Sequence, residues 1–90
     1  MKNKKERQAD RYLRRLYGIG IEDKKAMIKD QAGKCPICQR KLSKLRTAID
    51  HNHETGEVRG VLCHNCNRML GEAKENIETL KRAINYLKFQ

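Results

Sequence analysis

Four cysteines form two pairs with the same internal spacing, Cys35 with Cys38 and Cys63 with Cys66. Two such CxxC turns can direct four thiolates at one point, and Zn²⁺ prefers four ligands in a tetrahedron. The pattern therefore predicts one zinc ion held by all four cysteines. Four thiolates close the coordination sphere, so this zinc would be structural. Two disulfides are the alternative, which is less typical of an intracellular chain.

Polar residues that suit hydrolytic chemistry lie between the two pairs, in the segment Asp50-His51-Asn52-His53. A histidine titrates near neutral pH and can serve as a general base, a role that we assign to His51. Asp50 offers a hard oxygen ligand for Mg²⁺, and Asn67, directly after the second cysteine pair, offers another. Taken singly, these residues have ordinary alternatives: exposed hairpin histidines, a turn acid, and an asparagine that caps a helix.

The adjacency of Asp50 and His51 sets a geometric condition. Neighbouring residues in a regular strand point to opposite faces of the sheet. These two residues can therefore share a site only if the strand ends or bends there, or if the reacting group lies between the metal and the base.

The chain is short and strongly basic, with 21 Lys and Arg against 11 Asp and Glu in 90 residues and a formal charge of +10. Only 38% of it is hydrophobic, so a domain this small needs a staple such as the predicted zinc site. Zinc with four thiolates carries a net charge of −2, which leaves about +8. This excess favours a polyanionic partner, most often nucleic acid, over a basic surface that serves only solubility.

Hydropathy gives no sign of a membrane partner. No segment approaches the roughly 18 apolar residues of a membrane helix, and no apolar run follows the charged N-terminus as a signal peptide requires. We therefore expect a cytoplasmic protein. The aromatic residues are Tyr12, Tyr17, Tyr86 and Phe89. We expect none of them near the site, and hence no base readout by stacking.

Apolar periodicity predicts two helices in the N-terminal third. Apolar residues recur at helical spacing in the second half of residues 1–17, while about the first six residues are expected to be frayed. A pair of glycines ends this helix. A second helix is expected to run from Ile21 or Glu22 to Ala32, with Gly33 as its C-terminal stop.

Alternation from Thr47 to Leu62 predicts a β-hairpin with its turn at residues 54–57. The C-terminal part carries an apolar stripe with spacings of three and four residues: Leu70, Ala73, Ile77, Leu80, Ile84 and Leu87. About two and a half heptads favour a helix packed on its own domain over a coiled coil. A break near Lys74 and Glu75, with Asn76 capping a second helix, fits the sequence as well as one continuous helix.

The motifs CPIC, IDHNHETGEVRGVLCHNCN and MLG together resemble the phage recombination endonuclease VII family of ββα-metal (His-Me finger) nucleases. The resemblance spans roughly Tyr17 to Leu87. It implies a small α+β fold, a ββα-metal finger stapled by a four-cysteine zinc site and flanked by N- and C-terminal helices. One domain over residues 1–90 is expected, with a basic helical region at 1–33, the zinc and ββα-metal core at 34–75 and a C-terminal helix at 76–90.

The resemblance also implies roles for the polar residues. Asp50 and Asn67 match the divalent-metal ligands of the family, His51 its general base and His53 a second active-site histidine, while the four cysteines match its zinc ligands. The implied reaction is Mg²⁺- or Mn²⁺-dependent hydrolysis of DNA by water that His51 activates, leaving 5′-phosphate and 3′-hydroxyl ends. This chain departs from the family at Leu70. In the best-known member, the residue three positions after the metal-binding asparagine is acidic.

The expected partner is duplex or branched DNA, and four arginines are candidates for phosphate contacts: Arg14, Arg15, Arg59 and Arg68. The alternatives to a simple endonuclease are a dimeric resolvase of branched DNA, a zinc module that binds DNA without cutting, and a protein-interaction zinc domain. A binding module has no need of Asp50, His51 and Asn67 together. Because the long C-terminal region of larger, dimeric members is missing, we expect a monomer or weak homodimer.

Overall fold

The computed structural model describes residues 3–89, in which two strands and four α-helices follow one another along the chain. The elements are α1 (Lys4–Tyr17), α2 (Ile21–Asp30), a 3-10 turn (Leu42–Lys44), β1 (Thr47–His51), β2 (Val58–Cys63), α3 (His64–Glu72) and α4 (Ile77–Lys88). The predicted small α+β fold, a hairpin followed by a helix and flanked by further helices, is confirmed. Over the described range, no helix combines the length and apolar character needed to cross a membrane.

Helix α1 begins earlier than the sequence predicted, because a side chain caps its start. Asn3 has extended backbone angles, and its Oδ1 accepts a hydrogen bond from the Glu6 amide at 2.8 Å. Helical structure begins at Lys4, so the expected fraying of the first six residues is wrong from Asn3 onward; residues 1 and 2 lie outside the described range. The helix packs against the core through Leu13 and Tyr17.

The turn between α1 and α2 is held by carboxylates from both helices. The Ile21 amide donates to Asp10 Oδ1 on α1, and the Gly20 amide donates to Asp23 Oδ2 on α2, both at 2.8 Å. A Cβ atom at position 20 would lie 2.4 Å from Asp10 Oδ1 and from Arg14 Nη2, so a larger residue here would displace these two side chains from the turn. Amides at a helix start lack partners within the helix. Because the Ile21 amide finds its partner on α1, this hydrogen bond fixes the direction in which α2 leaves the turn.

Helix α2 ends at Asp30, two residues before the predicted end at Ala32. Ala32 and Gly33 have left-handed backbone angles, φ 57° and 72°, and the Gly33 amide donates to the Ile28 carbonyl at 2.8 Å. A left-handed residue cannot continue a right-handed helix. The stop therefore begins at Ala32, one residue before the predicted Gly33, and the predicted helical state of Ala32 is wrong.

The residue after α2 covers the outer edge of the hairpin. Gln31 Nε2 donates to the Val61 carbonyl and Gln31 Oε1 accepts from the Val61 amide, both at 2.9 Å. Val61 is fully buried, so both of its backbone groups would otherwise be unpaired away from water. A Cβ atom on Gly60 would lie 2.8 Å from Gln31 Oε1, so a larger residue at position 60 would displace the end of the Gln31 side chain. The Gln31 side chain thus takes the place of a third strand.

Strands β1 and β2 form an antiparallel hairpin that supplies much of the core. Thr47 pairs with Cys63, and the register is regular as far as Asp50 opposite Gly60. Among the described residues, the buried hydrophobic ones are Cys35, Leu42, Ile49, Val61, Leu62, Cys63 and Cys66. Three of these seven are cysteines, so the small core is centred on the two cysteine pairs.

The C-terminal stripe is divided between two helices. Lys74 and Glu75 have left-handed backbone angles, φ 56° and 54°, between the end of α3 and the start of α4. Asn76 then caps α4, because its Oδ1 accepts from the Thr79 amide at 2.9 Å. Of the two alternatives that the sequence left open, the structure has the break capped by Asn76 and not the continuous helix.

Packing of the stripe differs from the expectation. Leu70 on α3 packs against the core, but the side chains of Ile77, Ile84 and Leu87 on α4 are 67%, 52% and 66% exposed. The left-handed residues before α4 turn this helix away from the domain, and the molecule is 53 Å long. The prediction that the whole stripe packs on its own domain is therefore wrong for α4.

Replacing Gln31 with Ala should lower the free energy of unfolding by about 1–3 kcal/mol, because it leaves the buried Val61 amide and carbonyl without partners. Urea unfolding followed by circular dichroism, at equal metal content, measures this change. Gln8→Ala, on an exposed position of α1, is the control and should change stability by less than about 0.5 kcal/mol. Equal stability of the two variants would show that the Gln31 contact contributes nothing.

Candidate active site

The four cysteines, which lie in two separate parts of the chain, meet in one cluster. Their sulfur atoms all lie within 4.8 Å of one another, and those of Cys38 and Cys63 are 3.7 Å apart. In a tetrahedral zinc–thiolate site with bonds of about 2.3 Å, neighbouring sulfurs are about 3.8 Å apart. All four thiols are free of disulfides. The cysteines are therefore positioned to bind one metal ion, as predicted.

Local backbone structure directs the two pairs at each other. The first pair lies in a tight loop, where the Cys35 amide donates to the Arg40 carbonyl and the Gln39 amide donates to the Cys35 carbonyl, both at 2.9 Å. The second pair spans the junction of β2 and α3, where Cys63 Sγ accepts from the Cys66 amide at 3.4 Å. Because Cys63 ends β2 and Cys66 lies in the first turn of α3, the cluster also fixes how the helix leaves the hairpin.

A cationic side chain from the first loop lies against the sulfurs. Arg40 Nε donates to Cys38 Sγ at 3.4 Å, and Arg40 Nη2 donates to Cys63 Sγ at 3.7 Å. The Arg40 guanidinium lowers the pKa of the Cys38 thiol to about 6, whereas burial raises the pKa of the Cys66 thiol to about 12. The guanidinium thus favours the thiolate form in which cysteine binds metal. Sequence analysis identified Arg40 only by its positive charge, since its contact with Cys63 depends on tertiary structure.

An irregularity in the hairpin determines how the side chains of Asp50 and His51 are oriented at the end of β1. Asp50 pairs with Gly60, but His51 pairs with Val58, so Arg59 is an extra residue in a β-bulge on β2. A bulge bends the ladder and re-aims the side chains next to it. Asp50 and His51 could share a site only if the strand departs from regular geometry, and the bulge is such a departure.

A single cleft of about 530 Å³ brings the predicted polar residues together: Asp50, His51, His53 and Asn67 all line it. Asn67 lies in α3 directly after Cys66, so the cysteine cluster determines where its side chain lies. Carboxylate and amide oxygens are hard ligands of the kind that Mg²⁺ prefers. By the chemistry of their donor atoms, Asp50 and Asn67 fit a divalent cation.

Two aromatic residues of α1 also line this cleft, contrary to the expectation that none lies near the site. The His51 ring contacts that of Tyr17, with ring centroids 5.7 Å apart and the planes tilted by 49°, and it stacks on that of His53 at 4.8 Å. Tyr12 lines the same cleft. The expectation was wrong because α1, distant in sequence, packs against the core beside β1.

A series of side-chain contacts, from Asp50 through Arg59 and Glu75 to His53, connects the cleft with the turn before α4. Arg59 donates from Nε to Asp50 Oδ2 at 2.7 Å and from Nη2 to Asp50 Oδ1 at 2.9 Å, and Nη2 also donates to Glu75 Oε1. His53 Nε2 lies 2.9 Å from Glu75 Oε2. These hydrogen bonds, first to Asp50 and then to Glu75, raise the pKa of Arg59 above its ordinary value. Sequence analysis missed Glu75, because only the left-handed turn brings it here.

The other arginines predicted to contact DNA lie outside this series. Arg14 pairs with Asp10 and Arg68 pairs with Glu72, both at 3.0 Å, and the two arginine side chains are largely exposed. The Arg15 guanidinium lies 5.8 Å from the centre of the Tyr12 ring. Within the part of the chain that the structure describes, none of these three arginines lines the cleft. Their contacts with DNA stay predictions.

Comparison with known proteins identifies relatives from phages. A family model for recombination endonuclease VII matches residues 10–89. The chain is 50% identical over 74 residues to the Gene 59 protein of Mycobacterium phage D29 and 48% identical over 73 residues to the Gene 59 protein of Mycobacterium phage L5. These matches cover 80% and 79% of this chain but 45% and 44% of the relatives. The chain therefore spans less than half the length of either relative.

The fold is similar to that of a solved nuclease. The crystal structure of the beta-beta-alpha-Me type II restriction endonuclease Hpy99I aligns with a TM-score of 0.57 and 32% identity, covering 87% of this chain and 47% of that one. The family match includes both cysteine pairs, the hairpin and the residues of β1 and α3 in the cleft. The resemblance predicted from the motifs is confirmed, and the chain belongs to the recombination endonuclease VII family.

Proposed function

We propose that this chain is a metal-dependent DNA endonuclease. One observation carries the proposal: Asp50, His51 and Asn67, from the hairpin and from α3, line the same cleft next to a four-cysteine cluster. A module that only binds DNA needs a basic surface, but it has no use for a base and two hard oxygen ligands at one place. Family membership and the likeness to a restriction endonuclease support the same class of activity.

His51 is the proposed general base. An imidazole near neutral pH can take a proton from water as that water attacks phosphorus, provided that its nitrogen lies within hydrogen-bonding reach. The Tyr17 and His53 rings restrict the orientation of the His51 ring. His53 is the proposed second active-site histidine, and its contact with Glu75 holds it against His51.

Asp50 and Asn67 are the proposed ligands of Mg²⁺ or Mn²⁺. Such a site needs few protein ligands, because water and substrate phosphate complete the coordination. When bound, the ion would polarise the phosphate and stabilise negative charge on the leaving 3′ oxygen. Hydrolysis that breaks the bond between phosphorus and the 3′ oxygen leaves 5′-phosphate and 3′-hydroxyl ends.

The ion proposed for the cysteine cluster is zinc. Soft thiolates select Zn²⁺ over hard cations, and four of them leave no position open for water. This ion would therefore hold the fold together and take no part in hydrolysis. The proposed roles of the two sites are thus separate: thiolates for structure, and oxygen ligands with His51 for chemistry.

DNA is the proposed substrate, bound largely through phosphate contacts. The formal charge of +10 supplies the attraction, and α1, which forms one wall of the cleft, carries many of the basic side chains. Arg14, Arg15, Arg59 and Arg68 are the proposed phosphate contacts. Because phosphate contacts release counterions, binding should weaken steeply with salt. The phage relatives support action in the cytoplasm of a bacterial host.

The exposed apolar face of α4 bears on the oligomeric state. Ile77, Ile84 and Leu87 offer a surface for a second copy of the chain. A helix of 12 residues is only about 18 Å long, which is short for the roughly 1,200–2,000 Å² that stable interfaces bury. We therefore propose a monomer or weak dimer that mostly nicks one strand. The alternative that this face favours is a dimeric resolvase of branched DNA.

The zinc proposal predicts about one zinc ion per chain, and loss of helical circular dichroism when a strong chelator removes it. Unfolding is expected because three of the seven hydrophobic residues that are buried within residues 3–89 are cysteines. Elemental analysis and spectra before and after chelation measure both. Folded protein without zinc, or two native disulfides in mass spectra, would contradict the proposal.

The catalytic proposal predicts that His51→Ala lowers the cleavage rate at least about a hundredfold, because it removes the general base. Zinc content, folding and DNA binding should stay close to wild type. Asp50→Ala and Asn67→Ala should impair cleavage with Mg²⁺, the former more because it removes a formal charge beside the ion. Rates on labelled duplex are compared with those of His64→Ala, the matched histidine control outside the cleft. Wild-type cleavage by pure His51→Ala protein would refute the assignment.

The substrate proposal predicts modest discrimination of DNA shape. Cutting a four-way junction symmetrically requires two active sites at a fixed spacing, hence a stable dimer. Light scattering across concentration, paired with cleavage of four-way and linear duplexes near physiological salt, should reveal a monomer or weak dimer with similar rates on both. A stable dimer that cuts the junction symmetrically and far faster, and that Ile84→Glu dissociates, would establish the resolvase alternative.

A further inference from the structure

The carboxylate proposed as a metal ligand already has a cation bound to it. Arg59 donates to both oxygens of Asp50, at 2.7 and 2.9 Å, in a forked arrangement. The Asp50 side chain is 12% exposed and that of Arg59 is 41% exposed, so a nearly buried carboxylate is paired with a guanidinium that reaches the surface. A buried carboxylate without a partner is unfavourable. The two hydrogen bonds from the guanidinium therefore offset the cost of burying the Asp50 carboxylate.

A second carboxylate, that of Glu75, contacts the same guanidinium. Arg59 Nη2 donates to Glu75 Oε1 as well as to Asp50 Oδ1, and the other Glu75 oxygen contacts His53. The backbone at Glu75 is held in place, because its amide donates to the Leu70 carbonyl at 2.8 Å within the left-handed turn. Arg59 thus has a fixed anionic partner that does not depend on Asp50.

A divalent cation and a guanidinium compete for one carboxylate. Both Asp50 oxygens already accept hydrogen bonds, and a second positive charge within a few ångströms is repelled. We propose that Arg59 is a resident cation that occupies Asp50 until a divalent ion enters, and that Glu75 is the positioning residue that retains the guanidinium when Asp50 releases it. The inference rests on the proposed function in one respect, the role of Asp50 as a metal ligand.

The opposite role for Arg59 predicts the opposite result. If Arg59 were a permanent support that orients Asp50 toward the ion, its loss would weaken metal binding, as losses of supporting hydrogen bonds generally do. If Arg59 competes with the ion, its loss strengthens binding. The sign of the change in metal affinity therefore separates the two.

The test measures Mn²⁺ binding to the full, zinc-loaded chain without DNA, by electron paramagnetic resonance of free Mn²⁺. Asp50→Ala identifies the binding that belongs to this site. Arg59→Gln should tighten that binding about fivefold to tenfold at low salt, because it removes a positive charge close to the ion. Arg59→Lys, which keeps the charge but loses the forked geometry, should tighten it less and serves if the glutamine variant folds poorly.

A double-mutant cycle tests Glu75. Glu75→Gln should weaken Mn²⁺ binding several-fold, since the guanidinium then has only Asp50 as a partner. In the Arg59→Gln background, the same change should have less than about a twofold effect. The matched controls are Lys81→Gln and Glu78→Gln, an exposed ion pair on α4 with atoms 3.5 Å apart, which should leave Mn²⁺ binding unchanged.

Several outcomes overturn the inference. Unchanged or weaker Mn²⁺ binding in both Arg59→Gln and Arg59→Lys overturns the competition, and an equal effect of Glu75→Gln in both backgrounds overturns its role through Arg59. If the wild type cuts DNA while these results fail, only this inference is lost. If neither the wild type nor Arg59→Gln binds Mn²⁺ in a way that Asp50→Ala abolishes, the metal role of Asp50 falls together with it.

Discussion

Convergence of four thiolates at one point is the constraint on which the other features of this small protein depend. Cys63 ends β2 and Cys66 lies in the first turn of α3, so the cluster sets the angle between hairpin and helix. That angle places the next residue, Asn67, at the cleft. With only 38% hydrophobic residues, apolar packing alone would not hold this geometry in a domain of this size.

Within that frame, the cleft is governed by the partners of one nearly buried carboxylate. Asp50 needs a positive partner, and the bulge on β2 supplies Arg59 at the position where the ladder is irregular. Arg59 in turn contacts Glu75 in the turn before α4, and the other oxygen of Glu75 contacts His53. In the absence of metal, the Arg59 pair holds the Asp50 carboxylate in position, and under the proposed exchange Glu75 offers the displaced guanidinium a second partner.

The sequence by itself determined the features that depend on residue type at short range. CxxC spacing predicted the cysteine cluster and alternation predicted the hairpin, whereas the sequence around Asn76 left a helix break and a continuous helix equally open. Each of the two predictions follows from the local geometry of a few neighbouring residues, which is why it can be read from sequence alone. The motif around Asp50 and His51 was also sufficient to identify the family.

Tertiary structure alone decided what distant elements do to one another. Tyr17 against His51, Arg40 against Cys63, and Glu75 against Arg59 all join residues that no periodicity connects. The exposure of α4 likewise depends on the direction in which two left-handed residues send it, whereas the apolar stripe is the same whether a helix is covered or bare. A pattern specifies which face of a helix is apolar, but only the path of the whole chain determines what that face meets.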